Sequence, residues 1–326
     1  MKVLYFHDRG VNSKELHWVL DLMHELGYIN LTKTKNLSGN LSEYDVLIYQ
    51  AFPHENHPEK WKASHILSND KSFLNFKGFK ILHDAHDSGN VDAYKRFDNK
   101  EIPRIKAWPS YTFMKEYNVI MTTSGGTGQL VHGKDRFMSE LKLESFENWK
   151  LNWPNDKKDL ISYIVSYGYH AEEYMDYPTY ISLGGDNKFV RENTRDILKS
   201  YNRIQVDMNK KSQTDFYKHL SQSLVSVSVP GWGEGCLRQY EAPLFGCLNL
   251  LHESIADIKL LPHEDLIDGV DFLSFNLENL EEKLDFIFDN RELIDTIRYN
   301  GKQKLHSGYD FKKSAETLNN ILKENV

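Results

Sequence analysis

Short apolar runs and amphipathic segments alternate along most of the chain, which is the pattern of an α/β protein with parallel sheets. Each apolar run is followed by a polar or glycine-containing loop. Residues Leu16, Val19, Leu20 and Met23 show the first helical spacing, and Gly27 ends that helix. Strands are predicted over residues 3–6, 45–49, 79–82, 118–122, 179–183, 204–206, 224–229, 247–251 and 271–275. Helices are predicted over 215–220, 277–287, 291–305 and 311–322.

The stretch 221–251 combines a strand, a glycine-rich loop, a short helix and a second strand. Val225, Val227 and Val229 alternate with serines and predict a half-buried strand, which Pro230 ends. Gly231, Gly233 and Gly235 let the backbone turn and approach a ligand closely. A helix is predicted from Cys236, and Gly246 closes it. A strand that passes through such a loop into a helix is a potential anion site.

Arg238 and Glu241 lie three residues apart and so share one helix face. The planar guanidinium of Arg238 is suited to a diphosphate, and the Glu241 carboxylate can accept two hydrogen bonds from neighbouring hydroxyls, as on a ribose. An i,i+3 ion pair on a solvated helix is the equally weighted alternative.

The motif Gly-x-Gly-Glu-Gly-x-x-Arg-x-Tyr-Glu-Ala-x-x-x-Gly-Cys, residues 231–247, resembles the donor-site signature of B-type glycosyltransferases. It is most similar to the exostosin-like and spore-maturation-type branches. The resemblance implies that Glu241 holds the nucleotide ribose, that Arg238 holds the diphosphate and that Glu234 contacts the donor sugar. The chain has six residues between Glu234 and Glu241, whereas the commoner retaining signature has seven. Pro243 also removes an interior helix hydrogen bond, which predicts a short or kinked helix.

The resemblance further implies two facing Rossmann-like, doubly wound domains with the donor cleft between them. Residues 1–150 are the predicted acceptor domain, with a final helix near 308–326 returning to it. A polar segment containing Trp153-Pro154 begins a linker at 151–178, and a helix is predicted over 159–170. Residues 179–307 form the predicted donor domain. Gly184 and Gly185 are expected to approach the donor phosphates, with Arg191 or Arg195 on the next helix.

The first half of the chain contributes a second group of candidate residues. His83, Asp84, His86 and Asp87 follow an apolar run, so one of them is the predicted acceptor-side base or orienting residue. A metal site is the less favoured interpretation, because neighbouring side chains on an extended segment point to opposite faces. The resemblance also implies that no metal is required. Arg9 and Asn12 lie in the loop after the first strand and are weaker candidates for the same cleft.

Composition narrows the function classes. The formal net charge of −7 disfavours a nucleic-acid binder, so a glycan acceptor is favoured over modified DNA. Cys236 and Cys247 are the only cysteines, which fits a reducing, cytoplasmic location. We find no signal peptide and no apolar run of about 20 residues, so no membrane helix is predicted.

The sequence therefore predicts a hexosyltransferase-like enzyme that uses a nucleotide-diphosphate sugar, such as a UDP- or GDP-sugar, as donor and needs no further cofactor. Two other functions stay open. One is a metal-dependent hydrolase built on residues 83–87. The other is a non-catalytic module that binds sugar nucleotides or glycans.

Overall fold

The structure is a computed structural model that describes residues 1–7, 14–37, 39–50, 63–84, 97, 100–106, 108–121, 157–165, 187–231, 238–307 and 310–326. Contacts divide the chain into two units, residues 1–126 with 310–326 and residues 127–309. The predicted linker at 151–178 lies mostly outside the described residues.

The first unit contains a six-stranded sheet in the order β2-β1-β3-β4-β5-β6, in which every pairing is parallel. Its strands are β1 (Lys2–His7), β2 (Asn30–Thr34), β3 (Val46–Gln50), β4 (Phe79–Asp84), β5 (Arg104–Lys106) and β6 (Val119–Ile120). Its helices are α1 (Lys14–Glu25), α2 (Ala63–Asn75), α3 (Tyr111–Glu116) and, from the end of the chain, α10 (Phe311–Asn325), which packs against α1. Between β2 and β3, Leu41–Glu43 forms a 3₁₀ turn.

The second unit contains a five-stranded sheet in the order β11-β10-β9-β7-β8, again parallel throughout. Its strands are β7 (Lys158–Ser162), β8 (Gln205–Asp207), β9 (Ser223–Ser228), β10 (Leu248–His252) and β11 (Leu273–Phe275). Its described helices are α4 (Asn187–Ser200), α5 (Gln213–Gln222), α6 (Arg238–Leu244), α7 (Glu253–Ala256), α8 (Leu280–Asp289) and α9 (Arg291–Ser307).

Both units have the alternating strand–helix order that the apolar runs predicted. The predicted fold class of two Rossmann-like α/β domains is confirmed. Aromatic side chains fill much of the first core, where the rings of Tyr49 and Phe73 stack at 4.7 Å. Aliphatic side chains dominate the second, where Val225, Val227 and Leu250 are fully buried. Within the described residues, no helix combines the length and apolar character that a membrane span needs.

Two local predictions are wrong. The helix expected over residues 159–170 begins instead as strand β7, which pairs with β8 on one side and β9 on the other. Pairing on both edges outweighs the weak local preference of a short mixed segment. β9 was predicted to be half-buried, but all six of its residues are buried. Parallel strands have both faces covered, so their hydroxyl positions are enclosed as well.

Lys157 connects the two helices that flank β9. Its buried ammonium group donates hydrogen bonds to the carbonyls of Leu220 (3.2 Å) and Ser221 (2.6 Å) in the last turn of α5, and to the carbonyl of Phe245, directly after α6. Helix C-termini leave carbonyls without partners, and a cation there also suits the helix dipole. A single side chain therefore donates hydrogen bonds to carbonyl groups at the C-terminal ends of both helices.

We expect Lys157→Met to lower the unfolding free energy by roughly 2–4 kcal/mol, because it leaves buried carbonyls without donors. Urea denaturation followed by circular dichroism measures this change. The neighbouring Lys158→Met is the matched control, since Lys158 is exposed and its ammonium group bonds, among the described residues, to the side chain of Gln222 only. The control should change stability by less than about 0.5 kcal/mol. Equal effects of the two substitutions would contradict the assigned role of Lys157.

Candidate functional site

The order of the second sheet locates a candidate site between β7 and β9. From β7 the chain continues to β8 at one edge, and it then crosses to β9 and on towards the other edge. In open parallel sheets, ligands bind beyond the carboxyl ends of the strands at the point where the order reverses. The candidate ligand-binding region therefore consists of the segments that follow β7 and β9 and of the helices that come after them.

The first turns of α4 hold the backbone that follows β9. Asn187 donates its Nδ2 to the carbonyl of Gly231 (2.9 Å), and Arg191 donates its Nε to the carbonyl of Pro230 (2.7 Å). Tyr163, directly beyond β7, donates its hydroxyl to the carbonyl of Arg191 (2.8 Å). These hydrogen bonds connect the segment after β7, through α4, with the segment after β9. The point between β7 and β9, where the strand order reverses, is the switch point of the sheet. The same hydrogen bonds give Arg191, predicted as a phosphate ligand, a described role in holding the backbone at Pro230, directly after β9.

Helix α6 carries the buried carboxylate of the site. Glu241 is 8% exposed, and its Oε1 accepts a hydrogen bond of 3.1 Å from the hydroxyl of Tyr217 on α5. Within the part of the chain that the structure describes, the carboxylate has no other hydrogen bond. Burial raises the pKa of Glu241, while the charge of Arg238 and the Tyr217 hydroxyl act in the opposite direction. The alternative of an ion pair on a solvated helix is therefore wrong.

Arg238 begins α6 and lies one turn before Glu241. Its Nε is buried and finds no hydrogen-bond acceptor among the described residues. The hydroxyls of Ser226 and Ser228 on β9 are also buried and unpartnered within the described ranges. Buried polar groups are nearly always hydrogen-bonded, so each of these atoms marks a place where water or a ligand belongs. A buried guanidinium N–H without an acceptor suits an anion.

Pro243 lies inside α6, as the sequence predicted. Proline has no N–H group, so the carbonyl of Gln239, four residues earlier, loses its helical partner. That carbonyl instead accepts a hydrogen bond of 2.6 Å from Nδ2 of Asn249 on β10. The helix ends at Leu244, and Gly246 follows with a φ of 77°, the left-handed conformation that favours glycine. Asn249 thereby stabilises the turn that bears Arg238 and Glu241.

At the carboxyl edge of the first sheet, a polar cluster surrounds Tyr5. The Tyr5 hydroxyl donates to Oε1 of Gln50 (3.1 Å) and contacts Nδ1 of His83 (3.0 Å). The rings of His7 and His17 pack against Tyr5 with centroid distances of 5.4 and 4.9 Å. Burial lowers the pKa of His83 to about 3 and that of His17 to about 4, so both are neutral at neutral pH.

Asp84, the next predicted site residue, forms a buried ion pair with Lys106 on β5 at 2.9 Å. Neither side chain is exposed to solvent. The ammonium group of Lys106 also lies 5.2 Å from the centre of the Phe113 ring. A buried carboxylate that is neutralised in this way holds β4 to β5, and its environment is not that of a base open to a substrate.

The remaining predicted site residues lie outside the described residues. They are Arg9, Asn12, His86, Asp87, Gly184, Gly185, Gly233, Glu234 and Gly235. In the described ranges, no three His, Cys, Asp or Glu side chains are grouped as a metal site would require.

Sequence reasoning missed Tyr217, Asn249, Asn187 and Lys106. A usable signal existed for Asn249, since an asparagine within the apolar run Leu248–His252 has to find a buried partner. The other three act over separations of at least 22 residues, which no local pattern indicates.

Comparison with known proteins finds no matching family model and no matching curated protein. Several solved structures do match along the whole chain. Sucrose-phosphate synthase from Thermosynechococcus elongatus matches at 10% identity and a TM-score of 0.53, covering 99% of this chain and 98% of that chain. A glycosyltransferase from Rickettsia africae matches at 10% identity and 0.52, covering 99% and 97%. HepE from Anabaena, solved in complex with UDP, matches at 10% identity and 0.50, covering 99% and 100%.

These similarities show the two-domain B-type glycosyltransferase fold. They do not distinguish branches of that group. The predicted exostosin-like branch therefore stays a prediction.

We expect Glu241→Gln to make the protein more stable at pH 7, because it removes a buried charge and keeps an acceptor for Tyr217. The raised pKa means that ionisation of Glu241 costs more free energy in the folded than in the unfolded state. The stability of the wild type therefore falls as the pH rises from the pKa of Glu241 in the unfolded state to its higher pKa in the folded state. The gain should therefore shrink as the pH is lowered and the wild-type carboxyl group becomes protonated. Urea denaturation at several pH values measures the gain.

Glu282→Gln on the exposed face of α8 is the matched control and should show no such gain. A Glu241→Gln variant that is no more stable than wild type at pH 7 would contradict the burial cost assigned to Glu241.

Proposed function

We propose that the chain is a glycosyltransferase that takes a sugar from a nucleotide-diphosphate sugar bound to the second unit. The observation that carries the proposal is the pair on α6: a buried carboxylate with one described partner, one turn from an arginine whose Nε has none. α6 follows β9 and precedes β10, so its first turn lies at the carboxyl edge of the sheet, beside the switch point.

Glu241 is the proposed ribose ligand. A carboxylate can accept hydrogen bonds from both ribose hydroxyls, the same chemistry that dinucleotide-binding folds use. Tyr217 occupies Oε1 and restrains the carboxylate before the nucleotide arrives. Such preorganisation lowers the entropic cost of binding.

Arg238 is the proposed diphosphate ligand. During transfer, the bond between the sugar and the diphosphate breaks and negative charge grows on the leaving phosphate. The guanidinium of Arg238 would stabilise that charge without a metal ion. The backbone of Gly231, Gly233 and Gly235, with that of Gly184 and Gly185, is proposed to approach the phosphates, and Glu234 to contact the donor sugar. Asn187 and Arg191 support this arrangement by anchoring the start of the loop.

The acceptor hydroxyl forms the new bond to the sugar and loses its proton. The base is proposed among His83, Asp84, His86 and Asp87. Of the two described residues, His83 has a pKa of about 3, too low to drive proton removal, and Asp84 is neutralised by Lys106. The described geometry therefore favours positioning roles for both residues. His86 and Asp87 are the remaining candidates for the base itself.

UDP is the first nucleotide to test, since HepE, which shares the fold, was solved in complex with UDP. We expect UDP, or failing that GDP, ADP or TDP, to bind in a calorimetric titration, with or without a chelator. Glu241→Ala should weaken binding of both the nucleoside diphosphate and its nucleoside by roughly ten- to a hundredfold. Arg238→Gln should weaken binding of the nucleoside diphosphate by a similar factor and leave the affinity for the nucleoside unchanged.

Arg203→Gln is the matched control for charge, because Arg203 is exposed on the same unit and pairs with Asp285 and Asp289. It should leave every affinity unchanged. The proposal fails if no nucleotide binds, if Glu241→Ala keeps full affinity, or if a chelator abolishes binding. If no nucleotide binds, or if Glu241→Ala keeps full affinity, residues 83–87 become the leading candidate site.

A further inference from the structure

A groove of about 550 Å³ lies in the first unit, between the last two turns of α2 and the segment that joins β2 to β3. Its lining includes Ser42, Tyr44, Lys71, Ser72, Phe76 and Lys77. The function proposed above uses none of these residues.

The groove lies at the amino edge of the first sheet. Tyr44 comes shortly before β3, and Lys77 and Gly78 directly precede β4. Two backbone segments approach each other closely here, since a Cβ atom on Gly78 would be 2.3 Å from the carbonyl oxygen of Asp45. The cluster around Tyr5 and His83 occupies the opposite, carboxyl edge. The groove is therefore separate from that cluster and from the nucleotide site proposed on the second unit.

The groove is positively charged, although the chain as a whole carries a net charge of −7. Its twelve lining residues include two lysines and no carboxylate. Neither Lys71 nor Lys77 has an ion-pair partner among the described residues. The nearest carboxylates in sequence have other partners. Asp70 accepts the hydroxyl of Tyr49, Glu43 lies 3.7 Å from the ammonium group of Lys2, and Asp45 accepts the Lys2 N–H. The two ammonium groups thus remain available to an anion.

Two hydroxyl groups of the groove, those of Ser42 and Ser72, use their hydrogens within the protein. Ser42 donates its hydroxyl hydrogen to Oδ1 of Asn40 (2.6 Å), and Ser72 donates to the carbonyl of Ser68 (3.0 Å). Their oxygen lone pairs can still accept hydrogen bonds from a ligand. The side chains of Tyr44 and Phe76 add aromatic surface to the same lining. A ligand that complements this groove would carry a negative charge, hydroxyl groups that donate hydrogen bonds and an apolar C–H face.

We propose that this groove is a binding site for a sugar phosphate. Lys71 and Lys77 bind the phosphate, the serine oxygens accept hydrogen bonds from sugar hydroxyls, and the aromatic rings contact the apolar face of the sugar ring. Lysine acts on a phosphate as a point charge, so the two lysines of the lining can hold it without strict geometry.

The test is a calorimetric titration of the full chain with glucose 6-phosphate, with glucose and with inorganic phosphate. Glucose 6-phosphate should bind at least about tenfold more tightly than either fragment, because only it engages both the lysines and the hydroxyls. The double variant Lys71→Gln/Lys77→Gln should lose at least about tenfold in affinity for glucose 6-phosphate. A matched double variant on the second unit, Lys199→Gln/Lys210→Gln, should keep it.

Two further titrations with glucose 6-phosphate, one of the Arg238→Gln variant and one in the presence of saturating UDP, distinguish this site from the proposed nucleotide site. Neither the substitution nor UDP should change the affinity for glucose 6-phosphate, and this expectation holds even if no nucleotide binds. Binding that Arg238→Gln abolishes, binding that the Lys71/Lys77 double variant retains, or no binding of glucose 6-phosphate at all would overturn the proposal.

Discussion

The position of α6 depends on hydrogen bonds that this short helix cannot make for itself. It has seven residues and an internal proline, so its own backbone bonds are few. Asn249 satisfies the carbonyl that Pro243 leaves open, and Lys157 satisfies the carbonyl just beyond its end. Both partners come from neighbouring strands or their ends. The sheet therefore determines where Arg238 and Glu241 are placed.

This anchoring matters because α6 bears a charge that is costly to bury. Glu241 is almost fully enclosed, and its raised pKa shows that burial outweighs the help from Arg238 and Tyr217. A protein selected for stability alone would do better with a neutral side chain at this position. The proposed binding of a ribose diol would account for a carboxylate that is kept there at a cost.

Much of the fold followed from the sequence because parallel sheets produce a strong local signal. Most of the buried strands were predicted within a few residues, and Gly246 ends α6 as expected. The strands β2 and β5 were missed, since Asn30–Thr34 is largely polar and Arg104–Lys106 contains two charged residues. Arg104 and Lys106 are nevertheless fully buried, because aromatic rings and Asp84 surround their charges.

The sequence singles out the two proposed ligand residues, but it does not indicate the residues that support them. Arg238 and Glu241 stand out by type and spacing within a motif. The burial of Glu241 depends on Tyr217, 24 residues away, and the shape of α6 depends on Asn249. Strand β7 was assigned as a helix for a related reason, since its pairing with β8 and β9 involves residues at least 45 positions later. Contacts of that kind leave no periodic pattern.

The central claim is that a nucleoside diphosphate binds to the second unit at α6. A crystal structure of the protein with the nucleoside diphosphate that binds in titration tests it most directly. That structure should show ribose hydroxyls within hydrogen-bonding distance of the Glu241 carboxylate and phosphate oxygens at the Arg238 guanidinium. A nucleotide bound elsewhere, with Glu241 still in contact with Tyr217 alone, would contradict the central claim.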